Sequence, residues 1–388
     1  MYSIAFIIAA VMYIGLTLFI FFNYPIQWRK NRMFIAVLII WHVIGLSAAI
    51  LVFTVFRYIP YDGIRYEITR LGSMYYVVTT MQAILFFVRS VSARTYMFIA
   101  RRTDRAVSEQ ERRWLTDKRF HAIMITAVSF LIFTVGYFNI DFLRNTEYDV
   151  TINADSAEKE LNICLIADIH AGSGTWEYTY DTMTKLIDSA DADVLLIAGD
   201  VFDETTGEAD VEDFIRVLED IRRPKYGIYF VYGNHDSIVD DWTAHELSRV
   251  GVVTLKDEMT VIGEDIQLIG RMDPKYGAED TDMVFDECSP DPDKPIIVLT
   301  HRPRGFQSLA DRGCDLVMTG HTHGFNIPQF LGSNILEDMY YGIRQYDGMT
   351  AVVTSGVSAW GFHYKWPAVS EIVTIHVTFD GDVQSLAD

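Results

Sequence analysis

Two different spacings of apolar residues divide this chain. Up to about residue 140 they come in long, nearly unbroken stretches, at 4–22, 33–56, 74–91 and 120–138. Each approaches the ~20 residues that an α-helix needs to cross a bilayer. Beyond that point the apolar runs are short and β-branched, at 161–167, 194–198, 228–231, 296–299 and 316–318, and each stops at a polar or glycine residue. Such runs read as buried strands. Stretches of helical spacing alternate with them at 177–190, 210–221, 243–250 and 305–312, and further strands are expected at 252–254, 260–262, 267–269, 351–354 and 372–377. The mixture predicts an α/β domain of two packed sheets flanked by helices. Residues 1–140 are expected to form a transmembrane region with four helices, and 141–388 the second domain.

Charge follows the same division. Fifteen of the 32 Lys and Arg but six of the 52 Asp and Glu precede residue 141, a balance of +9 there against −29 beyond it. A domain that acidic is unsuited to gripping nucleic acid, which needs clustered cations. Arg29, Lys30 and Arg32 follow the first stretch, and Arg101, Arg102, Arg105, Arg112, Arg113, Lys118 and Arg119 follow the third; the opposite side holds Arg57, Arg65, Arg70 and Arg144. The positive-inside rule then makes the two richer loops cytoplasmic and the 141–388 domain extracytoplasmic, on the cell membrane. No basic segment precedes the first stretch and three more follow it, which disfavours a signal peptide. Arg89 and Arg94 at the end of the third are expected to snorkel to an interface. Cys164, Cys288 and Cys314 form no disulfide framework, in keeping with a prokaryotic cell surface.

Chemistry concentrates where predicted strands end. Asp168-Ile169-His170, Gly199-Asp200-Val201-Phe202-Asp203, Gly233-Asn234-His235-Asp236, His301 and Gly320-His321-Thr322-His323 each follow one. Ligands of open α/β sheets gather at the carboxyl ends of strands, so these segments should converge. Nitrogen and carboxylate donors without cysteine suit Mn²⁺, Fe²⁺ or Zn²⁺. Two such ions about 3.5–4 Å apart clamp phosphoryl oxygens and acidify a bridging water, which points to phosphoester hydrolysis. Taken singly, His235-Asp236 could be only a solvated turn and Asp203 only a helix start.

The ordered set over residues 168–323 resembles the calcineurin-like metallophosphoesterases, and with the tail 354–361 it is similar to their membrane-associated YkuE/YaeI-like branch. The resemblance implies an α/β/β/α sandwich. It implies that Asp168, His170 and His323 hold one metal, that Asn234, His301 and His321 hold a second, and that Asp200 bridges them. His235 would be a non-ligand that protonates the leaving oxygen, with Asp236 orienting it and Asp203 orienting a ligand or substrate group. Mn²⁺ is the first expectation for both ions, Fe²⁺ or Zn²⁺ the next. Three stretches depart from the branch: Arg302-Pro303-Arg304, Gly324-Phe325-Asn326 and Phe362-His363-Tyr364-Lys365-Trp366. Arg302, Arg304, His363 and Lys365 are therefore expected to form a cationic rim for a second phosphate, beside an aromatic wall of Trp360, Phe325, Phe362, Tyr364 and Trp366.

These readings together predict a membrane-anchored phosphohydrolase that cleaves a phosphoester or pyrophosphate bond by attack of a metal-bridging hydroxide. A phospholipid or lipid-linked phosphate is the expected substrate, because four spans restrict encounters to the bilayer plane, and the helices could also form a homodimer. The alternatives are an anchored hydrolase of soluble nucleotides or phosphoesters, and a non-catalytic membrane sensor or scaffold, hinted at by His42 inside the second stretch.

Overall fold

The computed structural model of the 388-residue chain describes residues 2–54, 63–172, 177–204, 206–237, 239–277, 280–324 and 337–381. The chain divides into two compact units, one of Met1–Thr54 with Tyr66–Val135 and one of Gly136–Asp388 with Val55–Arg65.

The first unit is helical. It contains α1 (Tyr2–Asn23), α2 (Ile26–Arg29), α3 (Arg32–Thr54), most of α4 (Gly63–Arg102), α5 (Glu109–Thr116) and the greater part of α6 (Lys118–Asp141). Ile20, Tyr24, Ala83, Phe86, Ala122 and Ile125 pack together inside it. The four apolar stretches lie in helices, but among the described residues two helices are long and apolar enough to cross a membrane, Tyr66–Arg102 and Lys118–Asp141. The end of the second stretch (55–56) lies outside the described residues. Arg89 does not interrupt α4: its Nη2 donates to the Leu115 carbonyl at 2.9 Å, near the end of α5. His42 Nδ1 lies 2.8 Å from the Tyr75 hydroxyl, a helix-to-helix hydrogen bond that accounts for a polar residue there without a sensing role.

The second unit is built on two six-stranded sheets. The first sheet runs β1 (Arg144–Ile152), β12 (Glu371–Phe379), β2 (Glu160–Ile166), β3 (Val194–Ile197), β4 (Ile228–Phe230) and β5 (Val252–Thr254), and β2 to β5 are parallel. The second runs β10 (Gly342–Tyr346), β11 (Met349–Val353), β9 (Leu316–Thr319), β8 (Ile296–Leu299), β7 (Ile266–Gly270) and β6 (Glu258–Ile262), parallel from β11 to β7. Leu161, Ile163, Leu165, Leu196, Leu268, Ile297, Leu316, Met318 and Val352 bury one face of each sheet against the other. On its outer face the first sheet is covered by α7 (Glu177–Ser189), α8 (Glu208–Asp220) and α9 (Trp242–Ser248), through Met183, Phe214 and Leu247. On the second sheet α10 (Thr281–Cys288) and α11 (Phe306–Asp311) do the same through Phe285, Phe306 and Leu309. The layering is α/β/β/α, and the strands buried on both faces are the continuous apolar runs of the sequence, as parallel strands must be.

Candidate metal centre

Every expected ligand stands just past a parallel strand. Asp168 and His170 follow β2, Asp200 follows β3, Asn234 follows β4, His301 follows β8, and His321 and His323 follow β9. The ladder does not stop where the strands do: Asp168 N donates to the Gly199 carbonyl at 3.0 Å and His170 N to the Asp200 carbonyl at 3.1 Å. These bonds turn side chains of neighbouring strands onto one point. The turns are tight enough to put Asp168, His170, Asp200, His321 and His323 at φ between 46° and 71°. Left-handed backbone is costly for such residues, and its concentration on five ligands marks a site held in place by its surroundings.

Close approach demands glycine beside them. A Cβ on Gly233 would stand 2.2 Å from Asp200 Oδ1, and one on Gly356, at φ +76°, would stand 2.6 Å from the Asp168 Cβ.

Two groups of donors result. Ligand atoms of Asp168, His170 and His323 lie within 4.8 Å of one another, as do those of Asp200, His301 and His321, and all six residues are buried. Asp200 Oδ2 stands between the groups, 3.2 Å from His301 Nε2 and 3.7 Å from His170 Nε2. Asn234 Oδ1 lies 3.2 Å from His301 Nε2, on the second group. The imidazoles are oriented from behind. His301 Nδ1 donates to the Ala198 carbonyl at 2.7 Å, His323 Nδ1 to the Ser358 carbonyl at 3.2 Å, and His170 Nδ1 faces Asp203 Oδ2 at 3.3 Å. Each therefore keeps Nε2 for the centre, while His321 turns Nδ1 toward it, 3.2 Å from His301 Nε2, and Nε2 toward Glu337 at 3.6 Å. Buried nitrogen and carboxylate donors in two adjoining sets, with their other nitrogens held by carbonyls and carboxylates, fit a pair of divalent ions.

Electrostatics shows what the ions would displace. Burial pulls the His301 imidazole down, but the Asp200 carboxylate beside it more than offsets this and lifts it to about 10. Burial raises Asp200 as well, and the His301 cation overcomes that, holding the carboxylate well below its usual range. Burial, aided by the charges on His301 and Arg302, keeps His321 neutral, while Asp168 is pushed up to about 6 by burial. Burial likewise keeps His323 neutral, whereas at His170 it is outweighed by the carboxylates of Asp203 and Asp200, which raise that imidazole.

His235 stands at the edge of this centre, 18 % exposed. Its ring stacks on Trp360 at 4.9 Å and meets the His170 ring edge-on at 5.3 Å. The orienting carboxylate is Glu204, 3.2 Å from Nδ1, not the expected Asp236. Asp236 is buried and accepts the backbone N–H groups of Asp200, Val201, Phe202 and Gly233 at 2.7–3.1 Å, so it shapes the loop that carries Asp200. Asp203 stands beside the expected ligand His170, as one of its two expected roles requires.

Of the cations expected at a rim, Arg302 lies beside the centre, its Nη1 3.3 Å from His321 Nε2, but each is engaged within the protein. Arg304 is paired with Glu337 through two bonds of 2.7 and 2.8 Å, and Arg302 Nε with Asp273 at 2.7 Å. His363 is buried with Nε2 2.9 Å from Asp141, and Lys365, fully buried, donates to the carbonyls of Gly356 (2.6 Å) and Ser358 (3.0 Å). Tyr364 between them is fully buried as well. Trp360 reaches the site through His235; Phe325 lies outside the described residues. Sequence reading missed Glu204, Glu337 and the Ser358 carbonyl, because loop partners carry no periodic signal.

Several known proteins are similar to this chain. The family model for calcineurin-like phosphoesterases matches residues 161–325. An uncharacterized metallophosphoesterase of Helicobacter pylori is 28% identical over 268 residues, 64% of this chain and 70% of that one. A Bos taurus transmembrane protein with metallophosphoesterase domain is 28% identical over 309 residues, 73% of this chain and 67% of that one. Among solved structures, yellow lupin purple acid phosphatase PPD1 aligns with a TM-score of 0.36 at 15% identity, over 59% of this chain and 55% of that one. With the ligand set and the sandwich in place, residues 161–325 match a calcineurin-like phosphoesterase domain, and the chain is similar to metallophosphoesterases over 64% of its length.

Proposed function

We propose that this protein is a membrane-anchored, dinuclear phosphohydrolase acting on a phospholipid or lipid-linked phosphate at the outer face of the cell membrane. The observation that carries the reading is the pair of buried donor groups with the Asp200 carboxylate between them, and a partly exposed His235 beside them. Asp168, His170 and His323 would hold one ion and His301, His321 and Asn234 the other, with Asp200 between them. Bound there, two divalent ions, Mn²⁺ in the first instance, would activate water and neutralise phosphoryl oxygens. The protein itself holds the proton donor: Glu204 takes Nδ1 of His235, which leaves Nε2 to protonate the departing oxygen, while Trp360 fixes the ring plane.

Support for the membrane half comes from the two apolar helices and from relatives described as transmembrane proteins with this domain. Positive charge on the loops after the first and third stretches supports the outward orientation. A multi-pass anchor of the full chain favours a substrate confined to the bilayer over a soluble nucleotide, and the same helices could pair two copies.

Mass spectrometry of lipids tests this directly. Membranes incubated with wild type and Mn²⁺ should lose one phosphorylated lipid species, and His235→Ala or chelator should preserve it. An unchanged lipid profile alongside turnover of soluble nucleotides would reject the lipid substrate.

A further inference from the structure

A cleft of about 320 Å³ opens beside His235, walled by Phe202, Val239, Trp242, Lys275 and Tyr276. Part of it is apolar and open to solvent: Val239 is 71% exposed, and Trp242, 37% exposed, lies with its ring 5.4 Å from that of Phe202. The rest is cationic. Lys275 is exposed, donates to the Asn234 carbonyl, and places its ammonium 3.1 Å from the Tyr276 hydroxyl and 4.9 Å from the centre of that ring.

All those partners are neutral. Among the described residues Lys275 forms no ion pair, whereas Arg302 and Arg304 are matched to Asp273 and Glu337 and Lys365 is buried on two carbonyls. The carboxylates lining the cleft are engaged elsewhere: Asp203 with His170, Glu204 with His235, and Asp236 with backbone N–H groups. A cation held next to a catalytic centre, with its local carboxylates already occupied, is placed to meet an anion.

We propose that this cleft receives the leaving side of the substrate and selects a leaving group that joins an apolar or ring-shaped body to a second anionic group, such as a phosphate. The inference rests on the hydrolase reading, because His235, which lines the cleft, is the proton donor to the leaving oxygen. In that step water oxygen bonds to phosphorus and the bond from phosphorus to the leaving oxygen breaks. The leaving oxygen takes the His235 proton, and the proton lost by water restores His235 through solvent. The body of the leaving group then lies along Trp242 and Val239, with its anion at Lys275.

The test compares two diesters. Bis(4-nitrophenyl) phosphate has a leaving group without a second anion; a diphosphate diester leaves with a phosphate, and is offered once as a soluble nucleotide sugar and once on a lipid chain in micelles. Lys275→Ala should raise KM for the diphosphate about tenfold more than for bis(4-nitrophenyl) phosphate, the size of one charge-assisted hydrogen bond, and Lys275→Arg should recover most of it. Trp242→Ala should weaken the same substrate, with melting temperature and metal content confirming that both variants fold. The shift on either the soluble or the micellar arm supports the cleft and names its source. An equal loss on both diesters would show that Lys275 only holds the Asn234 carbonyl, and no loss would show that it meets no substrate; either overturns the proposal. Turnover of the diphosphate diester that survives His235→Ala undiminished would instead overturn the proton-donor role of His235, whatever Lys275 does.

Discussion

Lys365 is buried and reaches the expected metal ligands through main chain. Its ammonium donates to the carbonyls of Gly356 and Ser358; the Ser358 carbonyl also accepts His323 Nδ1, and Ser358 N donates to the Asp168 carbonyl at 2.9 Å. Burial pulls the lysine down to about 7, against the opposing charges of Asp168 and Glu371, so the position is costly to keep and is held for position rather than for stability. Lys365→Met should weaken metal binding about 10- to 100-fold, the range for lost outer-shell partners, with Lys365→Arg intermediate; titration with Mn²⁺ reads this directly. His235→Asn should lower kcat about 10²- to 10⁴-fold while both ions stay bound, which separates a proton donor from a ligand. A proton at His301 must leave before a metal enters, since Asp200 holds that imidazole protonated to about 10. Metal affinity should therefore rise with pH, about tenfold per unit for one displaced proton, between pH 6.5 and 8.5. Affinity flat across that window would contradict the ion pair. The ligands were readable in the sequence because each sits at a strand end, where one residue of context suffices. Lys365 was misread because a sequence shows charge but not burial, and Glu204 was missed because its partner is 31 residues away.

Strands and loops behave differently under the same reading. Runs buried on both faces, such as β2, β3, β8 and β9, announce themselves as continuous aliphatic stretches. β1 and β10 went unread: both lie at sheet edges, and their exposed polar residues dilute any alternation. The loops that leave the parallel strands are the elements under strain, and two contacts hold them. One is the Asp236 carboxylate with its four N–H groups; Asp236→Ala leaves those donors buried without it and should cost about 3 kcal/mol or more, seen as a lower denaturation midpoint. The other is the bare Cα of Gly233. Gly233→Ala should push Asp200 out of place and lower metal content as well as stability, whereas an alanine that leaves both unchanged would show that the loop can yield.

For the whole molecule, the long apolar stretches and the acidic second half are facts of sequence, and the two-sheet sandwich follows from them together with the strand-end motifs. Membrane crossing is less legible, because a buried core helix and a spanning helix share length and composition; two of the four stretches meet the test among the described residues. The central claim is that two ions, held by one shared set of side chains, make this chain a hydrolase. Metal content by plasma mass spectrometry, measured beside turnover of bis(4-nitrophenyl) phosphate on the full chain in detergent, tests it most directly. Two ions per chain at full activity are predicted, with activity lost on chelation, restored as the second ion returns, and absent in Asp200→Asn together with metal. Full turnover with one ion or none, or two ions bound without hydrolysis of any phosphoester, would contradict it.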